Sequence, residues 1–371
     1  MPYPTEKILV RGLNWLGDAV MSTPALQRLR QARPSAHLTL LSPEKLAGLW
    51  QDQPFLDEVL TFSDSESIWN VILRLREKKF SEAVAFPNSI RSALELCLAG
   101  IPRRVGFARP GRGLLLTRAL PPRQDAAPMR KRSTREIRRL IARGAPPAAA
   151  AIAPAAHHIH DYLYLTAELG ASPEPLPPRI FVSDQQTAQL CKKLRLENAP
   201  AGRPWFGLNP GAEYGPAKRW PAKRFAAAAV ILQKQTHCRW LVFGGAGDLA
   251  LAENITTEIR YSGSGPDGVL NLAGKTSLRE LAAAIKLCRL LLTNDTGPMH
   301  LAAAVGTPLI VPFGSTSPEL TGPSYSPTAQ IVRAPVPCAP CFRRECPIDL
   351  RCLNDIKIAQ VIEAARRILD A

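Results

Sequence analysis

The chain has 371 residues, 46% of them hydrophobic, and a formal net charge of +16 at pH 7. This length allows two domains, and the composition is typical of a soluble protein that buries a sizeable core. The N-terminal residues lack a signal-peptide pattern, and no apolar run reaches the roughly 18 residues of a membrane span. We therefore expect a cytosolic protein.

The basic surplus indicates an anionic partner, which can be nucleic acid, an acidic membrane surface or a phosphorylated substrate. Much of the charge lies in two stretches, 101–113 and 130–143. Few aromatic residues are interleaved with it, and no zinc-finger, homeodomain or RNP pattern occurs, so we expect no nucleic-acid partner. A phosphate-bearing lipid or sugar fits better, and a merely solvated basic surface is the alternative.

Strand and helix patterns alternate along the first half of the chain. A Pro-, Arg- and Ala-rich interval at 109–156 interrupts the alternation and ends in a low-complexity loop, after which a helix runs to Gly170. The predicted strands are 7–11, 37–41, 58–62, 82–86 and 103–107.

The second half begins with a proline-rich hinge that holds a short predicted strand, 179–183, and a helix from Asp184. A helix pattern closes the chain. The further predicted strands are 205–209, 239–245, 269–274, 289–294 and 309–314.

This alternation predicts an α/β fold with two Rossmann-like domains, 1–180 and 181–371, whose parallel sheets face a central cleft. Open parallel sheets bind ligands at the carboxyl ends of their strands. We therefore look for candidate residues in the loops that follow strands.

The first strand-to-helix corner, VRGLNWLGDAVM, carries Asp18 where the helix begins. The spacing of its glycines does not match GxGxxG. A carboxylate at this position can serve as a general base. The alternative is an N-capping Asp that satisfies the amides of the first turn.

The corner at the start of the second half reads LNPGAEYGPAKRWP. A strand ends at Asn209, and a loop containing Gly211 then carries Lys218 ahead of a helix. Backbone amides and a lysine at a helix N-terminus are typical of a phosphate site. The alternative is an ordinary polar loop.

A third corner, NDTGPMHLAAAVGTPLIVPFG, places Asp295, Thr296 and Gly297 after a strand and His300 one helical turn later. The glycine permits close approach of a ligand, and helix-start amides suit a pyrophosphate. A carboxylate beside phosphates is reasonable if it accepts hydrogen bonds from sugar hydroxyls. The alternative is a capping Asp and a buried, hydrogen-bonded His.

These three corners, in this order, resemble the motifs of the ADP-heptose:lipopolysaccharide heptosyltransferases (glycosyltransferase family 9), and within them the heptosyltransferase II group. The C-terminal CAPCFRRECPIDLRCL resembles the cysteine-rich tail of that group. The resemblance spans nearly the whole chain. It implies a GT-B fold, with the last helix packed back on the N-terminal domain, and an inverting transfer of heptose from ADP-heptose that needs no metal or other cofactor.

The resemblance also implies partners and residue roles. The acceptor would be the anionic inner core of lipopolysaccharide, heptosyl-Kdo2-lipid A, and the protein would be peripheral to the cytosolic face of the inner membrane. Asp18 would deprotonate the acceptor hydroxyl, and Lys218 would bind the diphosphate. Asp295, Thr296 and Gly297 would hold the sugar and phosphates of the donor, with His300 nearby.

Four of the eight cysteines lie close together near the C-terminus: Cys338, Cys341, Cys346 and Cys352. Four soft ligands at this spacing can hold a structural zinc or iron ion, although they lack the second CxxC of a zinc ribbon. Reduced thiols and, less in keeping with the cytosol, disulfides are the alternatives.

Two other functions remain open. A related heptosyltransferase can act on another core position or on a protein acceptor. A non-catalytic protein that binds a nucleotide or phospholipid can retain the same two-domain scaffold, although the presence of both Asp18 and Lys218 argues against it.

Overall fold

The computed structural model of the chain describes residues 6–144, 152–196, 203–264, 268–323 and 325–370. The chain divides into two compact units. Unit 1 comprises Met1–Ala126 and Ala153–Phe181, and unit 2 comprises Ala127–Ile152 and Val182–Ala371.

The division at Phe181 lies next to the predicted boundary at 180, but residues 127–152 were expected in the first domain and belong to unit 2. The reason is packing: Ile137 is buried in the core of unit 2, and the Arg132 amide donates to the Cys341 carbonyl at 3.0 Å. The part of the predicted low-complexity loop at 145–151 lies outside the described residues.

Unit 1 is built on a six-stranded parallel sheet. Its strands are β1 (Lys7–Arg11), β2 (His37–Pro43), β3 (Glu58–Phe62), β4 (Glu82–Ala85), β5 (Arg103–Phe107) and β6 (Arg118–Leu120). The order across the sheet is β3-β2-β1-β4-β5-β6. Val10 of the central strand β1 pairs with Leu40 and with Val84, and the strand is buried after its first residue, as expected for a strand covered on both faces.

Helices cover this sheet. They are α1 (Leu16–Met21), α2 (Thr23–Ala32), α3 (Ala47–Trp50), α4 (Ile68–Lys78), α5 (Ile90–Leu98) and, from the later segment of unit 1, α7 (Ile159–Ala167). Helix α4 shows how the sequence fixes its ends. The Ser67 hydroxyl accepts from the Trp69 amide at the start, and Lys79 ends the helix in the left-handed region at φ 55°.

Unit 2 repeats the arrangement with a second six-stranded parallel sheet. Its strands are β7 (Trp205–Asn209), β8 (Arg239–Val242), β9 (Val269–Asn271), β10 (Leu290–Thr293), β11 (Leu309–Phe313) and β12 (Ala329–Arg333). The order is β12-β11-β10-β7-β8-β9, so both sheets follow the Rossmann order when each is numbered along its own unit. The predicted α/β class with two Rossmann-like units is confirmed.

The helices of unit 2 include α6 from residues 127–152. They are α6 (Thr134–Ala142), α8 (Asp184–Lys193), α9 (Ala222–Thr236), α10 (Leu249–Ile259), α11 (Leu278–Leu287), α12 (Gly297–Val305), α13 (Pro318–Thr321), α14 (Arg351–Asn354) and α15 (Ile358–Leu369). Among the described residues, no helix is both long and apolar enough to span a membrane.

The last helix, α15, contacts α9, β11 and β12. Its apolar face, including Val361 and Ile362, is part of the hydrophobic core of unit 2. The expected return of this helix to the first domain remains a prediction, because these contacts concern unit 2 alone.

One local prediction fails. Residues 179–183 form no strand, although buried Ile180 and Val182 alternate with exposed Phe181 as in a strand. The Gln53 side chain takes the place of a neighbouring strand: its amide oxygen accepts from the Phe181 amide, and its NH₂ group donates to the Phe181 carbonyl. The 109–156 interval, which interrupts the alternation of patterns in the sequence, contains β6 and α6.

Candidate active site

The first candidate site lies where β1 leads into α1, at the carboxyl end of the sheet of unit 1. Trp15 is the N-cap residue of α1, and its side chain makes no capping hydrogen bond. Asp18 lies in the first helical turn and is partly buried, with its carbonyl accepting from the Ser22 amide at 2.9 Å. Asp18 is therefore not the N-cap residue, and its role as a base remains a prediction.

A tyrosine from α7 belongs to the surroundings of Asp18. Tyr162 is buried, and its ring centroid lies 5.3 Å from that of Phe86. Burial raises the pKa of the Tyr162 phenol well above its usual value, and the negative charges of Asp18 and Asp161 raise it further. This phenol therefore stays protonated.

A buried ion pair lies at the end of β1, next to the loop that leads to Asp18. Arg11, the last residue of β1, donates to the Glu95 carboxylate at 2.8 Å and to the Gly12 carbonyl at 2.7 Å. Its guanidinium lies 4.3 Å from the centroid of the Phe62 ring. Burial lowers the pKa of Arg11, and the charge of Glu95 opposes that shift. The pair fixes the backbone from which the Asp18 loop departs.

The second candidate site lies in unit 2, where the neighbouring strands β7 and β10 end together, with Asn209 opposite Thr293. The Lys218 ammonium is 2.7 Å from the Asp295 carboxylate, and both side chains are largely buried, at 13% and 4% exposure. Two of the residues predicted to bind the donor are thus brought into one ion pair. Lysine has three donors, so the ammonium can hold a second anion beside Asp295.

Two buried asparagines tie these strand ends together. The Asn209 side chain donates to the Thr293 hydroxyl at 3.2 Å and to the Gly211 carbonyl at 3.4 Å, and its contact with the donor remains a prediction. Asn294, which the sequence analysis did not single out, accepts from the Trp220 amide at 2.9 Å and donates to the Pro210 carbonyl at 2.7 Å. Both side chains hold the Lys218 loop against β10.

Gly211 is buried in the same loop, and the carboxylate of Asp248 packs directly against its α-carbon. A side chain at Gly211 would overlap this carboxylate, so the glycine permits the close approach of two loops. Asp248 in turn accepts from the Gly245 amide at 3.2 Å and from Arg219 at 3.4 Å.

Thr316 is a further partner of Asp295. Its hydroxyl donates to the Asp295 carboxylate. Thr316 follows β11, the neighbour of β10, so the carboxyl ends of three adjacent strands supply this group of residues. The sequence signal for Thr316 was the polar run Gly-Ser-Thr-Ser after an apolar strand.

The N-terminus of α12 completes the second site. Thr296 is its N-cap residue and makes no side-chain capping bond, and Gly297 is the first helical residue. His300 is buried one turn further on. The structure therefore brings Asp295, Thr296 and Gly297 to a helix start, as predicted, with His300 in the same helix.

Two side chains that the sequence analysis missed also lie at Lys218. The Lys218 ammonium is 5.0 Å from the centroid of the Tyr214 ring, and the Arg344 guanidinium is 5.2 Å from it. The Tyr214 hydroxyl donates to the Phe342 carbonyl at 3.0 Å. Because Arg344 is distant in sequence from Tyr214 and Lys218, only the fold shows that it lies beside them.

The four C-terminal cysteines, Cys338, Cys341, Cys346 and Cys352, line one small cavity in unit 2. All are free thiols. Burial raises the pKa of Cys338, Cys341 and Cys352, the last to about 12, and the neighbouring cysteines raise each of them further.

The cysteine loop, residues 338–352, is fastened to the second candidate site. The Cys341 amide donates to the Ser315 carbonyl at 3.0 Å, next to Thr316. The Ala217 amide, next to Lys218, donates to the Arg344 carbonyl at 2.9 Å, and Ala217 also lines the cysteine cavity. This loop therefore supports both Lys218 and Thr316 from behind.

By donor type, four thiols fit a zinc or iron ion. Within the described ranges, however, no three or more His, Cys, Asp or Glu side chains are arranged to hold a metal ion. The cysteines share a cavity without forming a coordination sphere, so a metal at this place remains a prediction.

Known proteins match this chain over most of its length. Lipopolysaccharide heptosyltransferase 2 of Salmonella typhimurium (strain LT2) is 30% identical over 340 residues, 88% of each chain. Lipooligosaccharide heptosyltransferase 2 of Haemophilus influenzae (strain Rd) is 31% identical over 341 residues, again 88% of each. The solved structure of E. coli ADP-heptose LPS heptosyltransferase II is similar with a TM-score of 0.75 at 28% identity, covering 98% of both chains.

The predicted GT-B type is supported by this structural match and by the two Rossmann-like units. The sequence profile of "Glycosyltransferase family 9 (heptosyltransferase)" matches residues 146–351, more than half of the chain. The chain is a glycosyltransferase and belongs to glycosyltransferase family 9, the heptosyltransferases.

Proposed function

We propose that this enzyme transfers heptose from ADP-L-glycero-D-manno-heptose to the heptosyl-Kdo2-lipid A inner core of lipopolysaccharide, with inversion at the anomeric carbon. The observation that carries the proposal is the pairing of Lys218 with Asp295 at the carboxyl ends of β7 and β10, in a chain of this family. The names of the relatives support the donor and acceptor.

On the donor side, each residue of the second site has a chemical task. The Lys218 ammonium would bind the diphosphate and neutralise the charge that develops on departing ADP. The amides at the start of α12, at Thr296 and Gly297, suit the same anion. Asp295, held by Lys218 and Thr316, would accept hydrogen bonds from sugar hydroxyls.

On the acceptor side, Asp18 would take the proton of the attacking hydroxyl. A bond forms between the acceptor oxygen and the anomeric carbon as the bond from that carbon to the diphosphate oxygen breaks. The electron pair leaves with ADP, and the proton remains on Asp18. A single displacement of this kind inverts the anomeric centre and needs no cofactor.

The acceptor is a lipid, so we place the enzyme in the cytoplasm, peripheral to the inner membrane. The net charge of +16 supports attraction to an anionic acceptor and membrane surface. On α6, Arg135, Arg138 and Arg139 are exposed and available for this purpose. In the other basic stretch, Arg112 is buried and donates to three carbonyls, so it is structural.

Mass spectrometry of a truncated core acceptor after incubation with ADP-heptose tests the proposal. The expected product is heavier by one heptose, with ADP released in equal amount. Transfer to a protein, or to another core position, would point to a related heptosyltransferase instead. ADP-heptose binding without any transfer would indicate the non-catalytic alternative.

We also propose that a structural zinc or iron ion binds at the cysteine loop, with Cys338, Cys341, Cys346 and Cys352 as the ligands. The convergence of all four on one cavity supports this. The ion would stabilise the loop that backs Lys218 and take no part in the transfer. Elemental analysis of the purified protein is expected to find about one ion per chain, since four thiolates complete a tetrahedral site.

A further inference from the structure

Four large apolar side chains of unit 1 are exposed to solvent on neighbouring elements. They are Trp69 (61% exposed), Leu73 (53%), Ile90 (55%) and Leu114 (92%), which we name the edge patch. Trp69 and Leu73 lie one turn apart on α4, so they share a face of that helix. Single exposed apolar residues are ordinary, but a contiguous group marks an interaction surface.

Contacts between the supporting elements place these side chains on adjacent segments of unit 1. The α4 and α5 helices pack together, and Arg91 of α5 donates to the Glu66 carbonyl just before α4. The short turn Gly113–Leu115 contacts α5, and a Cβ placed on Gly111 would lie 3.9 Å from Cδ1 of Ile90. Because these segments follow β3, β4 and β5, the patch lies at the carboxyl edge of the sheet.

Positive charge accompanies the edge patch. Arg91 and Arg109 are both exposed, and Arg109 lies in the loop that carries Leu114. The Arg91 guanidinium shares one carboxylate, Glu95, with the buried Arg11, so this group of three keeps one net positive charge. An apolar surface with a Trp and with arginines at its border is typical of proteins that bind at an anionic lipid interface.

We infer that the edge patch docks unit 1 on an anionic lipid surface, with Trp69 and Leu114 inserted at the headgroup level and Arg91 and Arg109 near lipid phosphates. This inference rests on the proposed function, since it gives the enzyme of a lipid-borne acceptor its membrane-facing side. The carboxyl edge of the sheet, where Asp18 lies, would then be on the side from which the acceptor arrives.

Co-sedimentation of the full chain with vesicles tests the inference. Vesicles of phosphatidylethanolamine and phosphatidylglycerol are expected to bind the wild type, and vesicles of phosphatidylcholine to bind it more weakly. The W69S/L114S variant is expected to bind the anionic vesicles at least about tenfold more weakly, because two large apolar side chains no longer enter the interface. The matched control, L249S/Y261S, changes two exposed apolar residues of unit 2 and is expected to bind as the wild type does.

The inference is overturned if the wild type does not bind anionic vesicles. It is also overturned if the W69S/L114S variant binds them as well as the wild type, or if the control variant loses as much binding as W69S/L114S does. Light scattering is expected to show the same mass for wild type and variant. A wild-type dimer that the variant converts to a monomer would assign the patch to a second copy of the chain instead.

A water-soluble, lipid-free core acceptor separates this inference from the proposed function. Wild type and W69S/L114S are expected to transfer heptose to it at equal rates, because the patch contacts lipid and not the reacting atoms. If neither transfers heptose while vesicle binding still depends on the patch, the proposed function fails and the docking surface stands.

Discussion

Lys218 and Asp295 lie in the loops that follow the adjacent strands β7 and β10, and they form an ion pair of 2.7 Å that is almost closed to solvent. The ammonium is therefore paired with a carboxylate of the protein itself. In the proposed donor complex, the diphosphate would share the ammonium with Asp295, and the carboxylate would gain freedom to accept from a sugar hydroxyl. The pair would then couple the two halves of the donor.

The first prediction concerns Lys218. Replacing it by Ala should weaken binding of both ADP and ADP-heptose by roughly 10- to 150-fold, since a hydrogen bond to a charged group contributes about 1.5–3 kcal/mol. Isothermal titration calorimetry with each ligand measures this. Lys223→Ala, at an exposed lysine at the start of α9, is the control and should bind ADP normally. Equal ADP affinity in the two variants would show that Lys218 does not bind the phosphates.

The second prediction concerns Asp18. Asp18→Asn should bind ADP-heptose as the wild type does while kcat falls by about 10²–10⁴, the usual contribution of a general base. Single-turnover kinetics with a truncated core acceptor separate the chemical step from binding. Asp64→Asn, at an exposed carboxylate of unit 1, should leave kcat unchanged. Normal turnover of the Asp18 variant would leave this residue with a structural role only.

The sequence predicted the elements that carry the two sites because each is a local pattern. An apolar strand followed by a polar corner is visible within a few residues, as at Asn209 and Asp295. The α/β class follows from repetition of that pattern, and the family was inferred from the resemblance of the three corner motifs. The N-terminal turn of α12 needed nothing beyond its own sequence.

Contacts between distant segments were not predictable in this way. Arg344 reaches Tyr214 because the cysteine loop folds against the Lys218 loop, and no local signal reports that. Asn209 ends a strand in the sequence, but only the fold shows that its side chain donates to the Thr293 hydroxyl. Exposure also depends on the fold: Arg112 counts toward the basic surplus in the sequence, yet it is buried, and burial lowers its pKa to about 10.

The third prediction concerns Thr316. Thr316→Val keeps the shape of the side chain and removes the hydroxyl that donates to Asp295. The KM for ADP-heptose should rise by roughly tenfold or more, because a hydrogen bond to a charged group is lost, while the affinity for ADP alone should change little. Thr316→Ser, which restores the hydroxyl, should recover most of the loss. A Val variant with an unchanged donor KM would show that Asp295 is held by Lys218 alone.

The fourth prediction concerns the exposed arginines of α6. Replacing Arg135, Arg138 and Arg139 by Gln should raise the KM for the anionic acceptor and reduce its dependence on salt, with the donor KM unchanged. Steady-state kinetics at several salt concentrations measure both effects.

The control for α6 removes the same charge from other exposed positions of unit 2, at Lys223, Lys234 and Arg366. If both triple variants raise the acceptor KM equally, only net charge matters. An unchanged acceptor KM in the α6 variant would show that these arginines belong to an ordinary solvated surface and do not bind the acceptor.

The last prediction concerns the cysteine loop. Cys338 and Cys341 line the cavity from one side of the loop, and the Cys341 amide is bonded to Ser315. Replacing both by Ser should remove the bound metal and lower the Tm by several degrees, since metal binding at such a loop contributes directly to folding. The kcat of the folded fraction should stay near that of the wild type, because the loop supports the Lys218 loop without contacting the reacting atoms.

Two cysteines outside the cluster, one in each unit, give the matched control. Cys97→Ser and Cys191→Ser change partly buried thiols outside the cluster and should leave the metal content unchanged. Chelator treatment of the wild type should lower its Tm as far as the double substitution does, and should have no further effect on the substituted protein. Wild-type protein that contains neither zinc nor iron, with all four cluster thiols open to titration under native conditions, would establish ordinary reduced cysteines.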